Sequence, residues 1–129
     1  MENSAERILI VEDDMIISTV LERMVTKMNY NIIDTTRSGK EAIELATTKL
    51  PGLILMDIQL IDDIDGIEAM ERIKKVADIP VIYITGNSDS CNRERAEKTG
   101  YHDYMTKPIS IDDLEKSIAE AFAENDYSY

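Results

Sequence analysis

The chain has 129 residues and a formal net charge of −12, from 26 Asp and Glu against 14 Lys and Arg. That length suits one domain with a core that needs no disulfide staples, and the charge disfavours nucleic acid or an anionic membrane as a direct partner, because both demand Lys and Arg to meet phosphate. The single Cys91 excludes an internal disulfide and points to a reducing, cytoplasmic setting; no apolar run reaches the roughly 20 residues of a membrane span, and the polar segment Met1 to Glu6 does not read as a secretory signal.

Short β-branched runs alternate with amphipathic stretches along the whole chain, the pattern of a parallel α/β sheet. The first strand is expected at Ile8 to Val11. The helix after it keeps Ile17, Val20, Leu21, Met24 and Met28 on one face, with Asp14 suited to its N-cap. Asn31 to Thr35 forms the second strand, and Ser38 with Glu41 makes a capping-box pair for the next helix. Leu53 to Asp57 is the third strand, followed by a helix from about Gly66 to Val76 that carries Ile67, Met70 and Ile73. Met24, Met28, Met56 and Met70 read as core filler by position.

Val81 to Thr85 is the fourth strand. The helical stretch after it, Asp89 to Thr99, has little beyond Cys91 and Ala96 to bury and ends on Gly100 as a C-cap. Cys91 is expected to be partly buried. So narrow an apolar face makes this the least stable element. His102 reads as an exposed loop residue, Asp103 to Thr106 as the fifth strand, and the last helix starts at Ser110 with Leu114, Ile118, Ala121 and Phe122. The near-continuous runs ILIV, LILM and VIYI suit strands covered on both faces, which leaves the more polar second and fifth strands for the edges.

Right-handed βα units in so short a chain give a doubly wound (βα)5 sandwich, a five-stranded parallel sheet of order 2-1-3-4-5 with a flavodoxin-like fold. A single domain over residues 1–129, with its core at about 7–124 and no effector domain, is expected. In such sheets the ligand crevice lies at the carboxyl ends of the strands. Glu12, Asp13 and Asp14 follow the first strand, Asp57 ends the third, Thr85 ends the fourth, and Lys107-Pro108 follows the fifth.

Carboxylates gathered at one rim repel by roughly 4 kcal/mol per pair at about 4 Å and an effective dielectric of about 20. They coexist only with a cation, a lysine or raised pKa values. An all-oxygen set with few ligands suits Mg2+, with Mn2+ as a substitute, whereas lone His102 and lone Cys91 cannot build a zinc site. A carboxylate beside a divalent cation, a lysine and a hydroxyl can act as nucleophile toward a phosphoryl group. No GxxxxGK[ST] or GxGxxG loop is present, so the phosphoryl donor must come from outside.

ILIVEDD, LILMD, IDGIE, VIYITG and YMTKP, in this order and each at a strand end or the following turn, together resemble the response-regulator receiver domain of two-component signalling. The resemblance spans about Arg7 to Glu124. It implies that Asp57 is the phosphoacceptor, that Asp13 binds Mg2+ directly and Glu12 mostly through water, and that the main-chain carbonyl of Gln59 is a further ligand. Thr85 and Lys107 would contact phosphoryl oxygens, Tyr104 would be the aromatic switch residue, and Gln59 and Asn87 would line the water path that hydrolyses the acyl phosphate. The Lys107-Pro108 bond is expected to be cis. The implied partners are a sensor histidine kinase or phosphotransfer protein and an unknown downstream protein on the face of the fourth helix, fifth strand and fifth helix. Such a protein is a phosphorylation switch rather than an enzyme.

This chain departs from the family pattern after Asp57. The family usually has Pro four residues after the acceptor and the Gly of its DG pair eight after; here position 61 is Ile and Gly66 lies nine residues on, within an acidic loop containing Asp62, Asp63 and Asp65. Other readings are a receiver module excised from a hybrid histidine kinase or larger regulator, and, more remotely, an aspartate-nucleophile phosphatase. The phosphatase needs a second Asp where Gln59 stands. A flavodoxin-like FMN binder would need a Ser/Thr/Gly-rich phosphate loop in place of Glu12-Asp13-Asp14.

Overall fold

The computed structural model describes residues 6–86 and 90–126, with the side chains of 125 and 126 left aside. Five strands and five helices alternate: β1 Arg7–Val11, α1 Met15–Lys27, β2 Asn31–Thr36, α2 Gly39–Lys49, β3 Leu53–Met56, α3 Gly66–Lys74, β4 Val81–Thr85, α4 Ser90–Glu97, β5 Asp103–Thr106 and α5 Ile111–Asp126. All pairings are parallel and the order is β2-β1-β3-β4-β5. β3 and β4 are buried at every residue, whereas β2 and β5 lie at the edges with mixed exposure.

Strand periodicity divides the core into two layers. Leu9, Val11, Ile54, Met56, Val81 and Tyr83 face one side, where Ala42 and Ala46 of α2, Ile67, Met70 and Ile73 of α3, and Ala96 of α4 cover them. Their alternates Ile8, Ile10, Leu53, Leu55, Ile82 and Ile84 face the other side, under Leu21 and Val25 of α1 and Leu114, Ile118, Ala121 and Phe122 of α5. A strand buried on both faces needs apolar residues at both parities, hence the continuous runs.

Local caps start the helices. The Asp14 carboxylate accepts from the Ile16 and Ile17 amides at 2.9 and 3.2 Å, and that of Asp65 accepts from the Glu68 amide at 2.8 Å. Ser38 caps α2 by accepting from the Glu41 amide at 3.1 Å, but the return half of the expected box does not form. Thr36 intervenes: its hydroxyl accepts from the Ser38 amide at 3.2 Å and donates to the Glu41 carboxylate. Gly100, at φ 69°, closes the segment after α4 in a left-handed conformation that suits glycine.

Several boundaries and burials differ from expectation. β3 stops at Met56, so Asp57 lies just beyond the ladder, and α3 ends at Lys74, leaving Val76 exposed. Cys91 is exposed rather than partly buried, because α4 turns only Ala96 into the core. His102 is largely buried instead of exposed; its Nδ1 lies 3.0 Å from Glu124 Oε2 and its amide donates to the Val81 carbonyl at 2.9 Å. That backbone bond draws the segment before β5 onto the start of β4.

Candidate functional site

The carboxyl ends of the strands are fastened by main-chain bonds that continue the sheet past its last side chains. The Glu12 amide donates to the Thr36 carbonyl, the Asp57 amide to the Val11 carbonyl and the Lys107 amide to the Thr85 carbonyl, each at 2.9 Å. These bonds fix where each functional side chain departs. The Lys107-Pro108 bond is cis. At Gly66 a Cβ would stand 2.0 Å from the Asp57 carbonyl oxygen, so only glycine lets the start of α3 approach the end of β3.

Glu12, Asp13 and Asp57 meet there, with one carboxylate oxygen from each inside a span of 4.8 Å. Glu12 and Asp57 are buried. Lys107 Nζ lies between them, 2.9 Å from Glu12 Oε1 and 3.0 Å from Asp57 Oδ2. The Ile58 amide donates to Asp57 Oδ1 at 2.7 Å and the Asp14 amide to Glu12 Oε2 at 3.1 Å. Two buried acids share one ammonium. Glu12 is pushed up to about 7, first by burial and then by its hydrogen bond to Asp57, against the opposing pull of Lys107 and the Asp14 amide. Burial disfavours the Lys107 ammonium, but bonds to Glu12 and Asp57 outweigh that and hold it above the usual lysine range.

Hard carboxylate oxygens, without His or Cys in the cluster, fit a hard divalent cation of the Mg2+ class. The acidic excess around a single lysine is what such a cation would neutralise.

The remaining expected residues divide. Thr85 is buried at the end of β4. Gln59 has an exposed side chain two residues beyond Asp57. Asn87 lies outside the described residues. Tyr104 is buried within an aromatic group, its ring 6.0 Å from Tyr83 and 5.7 Å from Tyr101, with the Arg93 guanidinium 4.9 Å above it.

Some residues at the site carried no isolated signal. Arg37 Nε donates to the Asp13 carbonyl at 2.9 Å, and the Arg37 carbonyl accepts from the Ile61 amide at 3.0 Å. Asp62 binds the start of α2: its carboxylate accepts from Ser38 Oγ at 3.1 Å, the Gly39 amide at 2.7 Å and the Lys40 amide at 2.9 Å. Burial opposes the charge on Asp62, but these donors outweigh it and hold the carboxyl below its ordinary range. Arg95 of α4 grips Asp65 with two nitrogens, at 2.9 and 3.2 Å. Beside the site, Met15, Ile16 and Val20 of α1 are 66%, 77% and 44% exposed, and Ile17, Val20, Leu21 and Met24 line a groove of about 450 Å³ with Lys107, Pro108 and Ile109.

The family model for the response regulator receiver domain matches residues 8–119. The chain belongs to the response regulator receiver domain family. This receiver domain is 32% identical over 126 residues to "Probable transcriptional regulator ycf27" of Porphyra purpurea, covering 98% of this chain and 51% of that protein. The chain thus spans about half the length of such curated relatives. Among solved structures it resembles a CheY-like response regulator receiver domain protein from Methanospirillum hungatei JF-1, with a TM-score of 0.89 and 27% identity over 95% of this chain and 98% of that one. It also resembles the receiver domain of sensor histidine kinase PA1611 from Pseudomonas aeruginosa PAO1, solved with a magnesium ion coordinated in its active site cleft. There the TM-score is 0.82 and the identity 28%, over 91% of this chain and 97% of that one. Receiver domains are signalling modules of two-component systems rather than enzymes in the ordinary sense. Among the described residues, no helix is long and apolar enough to cross a membrane.

Proposed function

We propose that this receiver domain accepts a phosphoryl group on Asp57 from the phosphohistidine of a sensor histidine kinase or phosphotransfer protein. One observation carries the reading: the Asp57 carboxylate stands at the end of β3 with Lys107 Nζ 3.0 Å away and with Glu12 and Asp13 within reach of one shared ion. Mg2+, held by Glu12, Asp13 and Asp57 with the Gln59 carbonyl, or Mn2+ in its place, would supply positive charge beside the transferring oxygens.

A carboxylate oxygen of Asp57 attacks phosphorus, the P–N bond of the donor breaks, and its electron pair returns to the imidazole nitrogen. Lys107 offsets charge on the phosphoryl oxygens. Thr85, at the adjacent strand end, donates its hydroxyl to one of them. The movement of Thr85 toward the phosphoryl group and of Tyr104 into the space released then biases the α4, β5 and α5 face between two arrangements. Gln59 and Asn87 govern the access of the hydrolytic water. The exposed apolar residues of α1 beside Lys107 offer the donor protein a surface that reaches the rim. The downstream partner binds the α4, β5 and α5 face.

Acetyl phosphate with Mg2+ tests the chemistry without a cognate donor. Wild type is expected to gain the mass of one phosphoryl group and Asp57→Asn none; an unmodified wild type, or a modified Asp57→Asn, refutes the assignment.

A further inference from the structure

The loop between β3 and α3 is one residue longer than the family pattern and carries the Gln59 carbonyl. Its ends are drawn together by a main-chain bond from the Gly66 amide to the Ile58 carbonyl at 2.7 Å, and the Ile58 amide donates to the Asp57 side chain, at Oδ1, at 2.7 Å. Its middle, numbers 59–64, lies outside regular structure and is fastened to another part of the sheet rim. The Ile61 amide reaches the Arg37 carbonyl at 3.0 Å, and Asp62 takes the Ser38 hydroxyl and the Gly39 and Lys40 amides at 2.7–3.1 Å.

Asp62 and Ser38 together satisfy the first-turn amides of α2, because Ser38 takes that of Glu41. The fit is close on the loop side as well. A Cβ at Gly39 would come within 2.2 Å of the Ile64 carbonyl oxygen, so the loop is pressed against the helix start where only a hydrogen stands. The same connection has a second arm, since Arg37 binds the Asp13 carbonyl at 2.9 Å. The segment 37–40 therefore joins the loop after β3 to the loop after β1, and both loops carry candidate metal ligands.

We infer that Asp62 is a positioning residue for the divalent cation. Its clamp on the start of α2 sets the path of the lengthened loop, and with it the place of the Gln59 carbonyl relative to Asp13 and Asp57. Asp62 itself touches neither cation nor phosphoryl group. The inference rests on the proposed metal site and adds the element that holds the loop there.

Mg2+ titration of the whole chain, followed by amide chemical shifts, tests it alongside thermal unfolding. Asp62→Ala is expected to weaken Mg2+ binding about tenfold, the low end for groups that orient ligands without touching the metal. Asp62→Asn, which keeps the volume and one acceptor, weakens it less but measurably. Ala46→Gly serves as the control: it loosens α2 in the core, lowers the melting temperature and leaves Mg2+ affinity at the wild-type value. Wild-type affinity in Asp62→Asn overturns the inference even where Asp62→Ala does not fold, and so does an equal loss of affinity in Ala46→Gly. A wild type that binds Mg2+ and is phosphorylated, beside Asp62 variants of unchanged affinity, removes this inference alone. A wild type that binds no Mg2+ removes the proposed metal site together with it.

Discussion

α3 and α4 lie on the same face of the sheet and have nearly the same length, yet they are held in different ways. α3 buries Gly66, Ile67, Ala69, Met70 and Ile73, whereas α4 buries only Ala96. What retains the α4 region is polar and directional: the Arg95 fork on Asp65, a 2.8 Å hydrogen bond between Tyr83 and Thr99, and Arg93 over the Tyr104 ring. Apolar burial has no preferred partner and is lost only with the fold, while ion pairs and hydrogen bonds can be exchanged one for another. A helix held by exchangeable contacts beside Thr85 and Tyr104 suits the proposed two-state element; a helix pressed by Gly66 against the carbonyl of Asp57 suits a fixed base.

Truncating each helix's main buried side chain gives the widest separation. Ile73→Ala is expected to cost about 3 kcal/mol in denaturant unfolding, as a cavity in a filled core does. Ala96→Gly, which takes the only buried side chain of α4, is expected to cost about 1 kcal/mol, mostly through helix propensity. Comparable losses at the two positions would show that α4 is bound to the core as firmly as α3.

The contrast was half visible in the residues themselves. Continuous apolar runs marked the central strands, and the polarity of Asn31–Thr36 and Asp103–Thr106 marked the edges, because burial on two faces leaves no choice of residue. The Asp14 cap was legible for a similar reason, since its partners lie two and three residues away. The rim was legible in so far as strand ends of a doubly wound sheet converge, which brings Glu12, Asp13, Asp57 and Lys107 together. Contacts between distant segments left no such mark. Asp62 meets α2 across more than twenty positions and Arg95 meets Asp65 across thirty. Glu41 looked like half of a capping box until Thr36 supplied a nearer donor. The exposure of Cys91 and the burial of His102 are not written in the neighbouring residues, because they depend on how α4 and the segment before β5 lie on the sheet.

Acidity separates the two regions again, because burial raises Glu12 at the rim. Glu12 has an ordinary value of 4.5 and is raised to about 7 in the folded chain, so between these limits the folded state holds a proton that the unfolded chain releases. The stability it contributes is present below about pH 4.5 and is lost as pH rises through about 7. In urea unfolding without divalent cations, stability is therefore expected to fall across that window, and Mg2+ is expected to flatten the fall by favouring the charged carboxylate. Glu12→Gln removes the slope. A slope that survives Glu12→Gln assigns it to another group.

The smallest expected effect is the most local. Arg95 and Asp65 are 40% and 32% exposed, so solvent screens the pair and its loss costs no more than about 1 kcal/mol. Global unfolding would barely register Arg95→Met. Hydrogen exchange resolves it, because opening of α4 alone does not require the core to open: its amides are expected to exchange up to about fivefold faster, the ratio that this energy sets. α3 supplies the internal reference, since Asp65 also accepts from the Glu68 amide at 2.8 Å, a bond that does not involve Arg95. Faster exchange in both helices would mean that the fork stabilises the cap of α3 as much as the position of α4. Unchanged exchange in α4 would leave the Tyr83–Thr99 bond and the Arg93–Tyr104 contact as its polar restraints, and would move the proposed switch element toward β5.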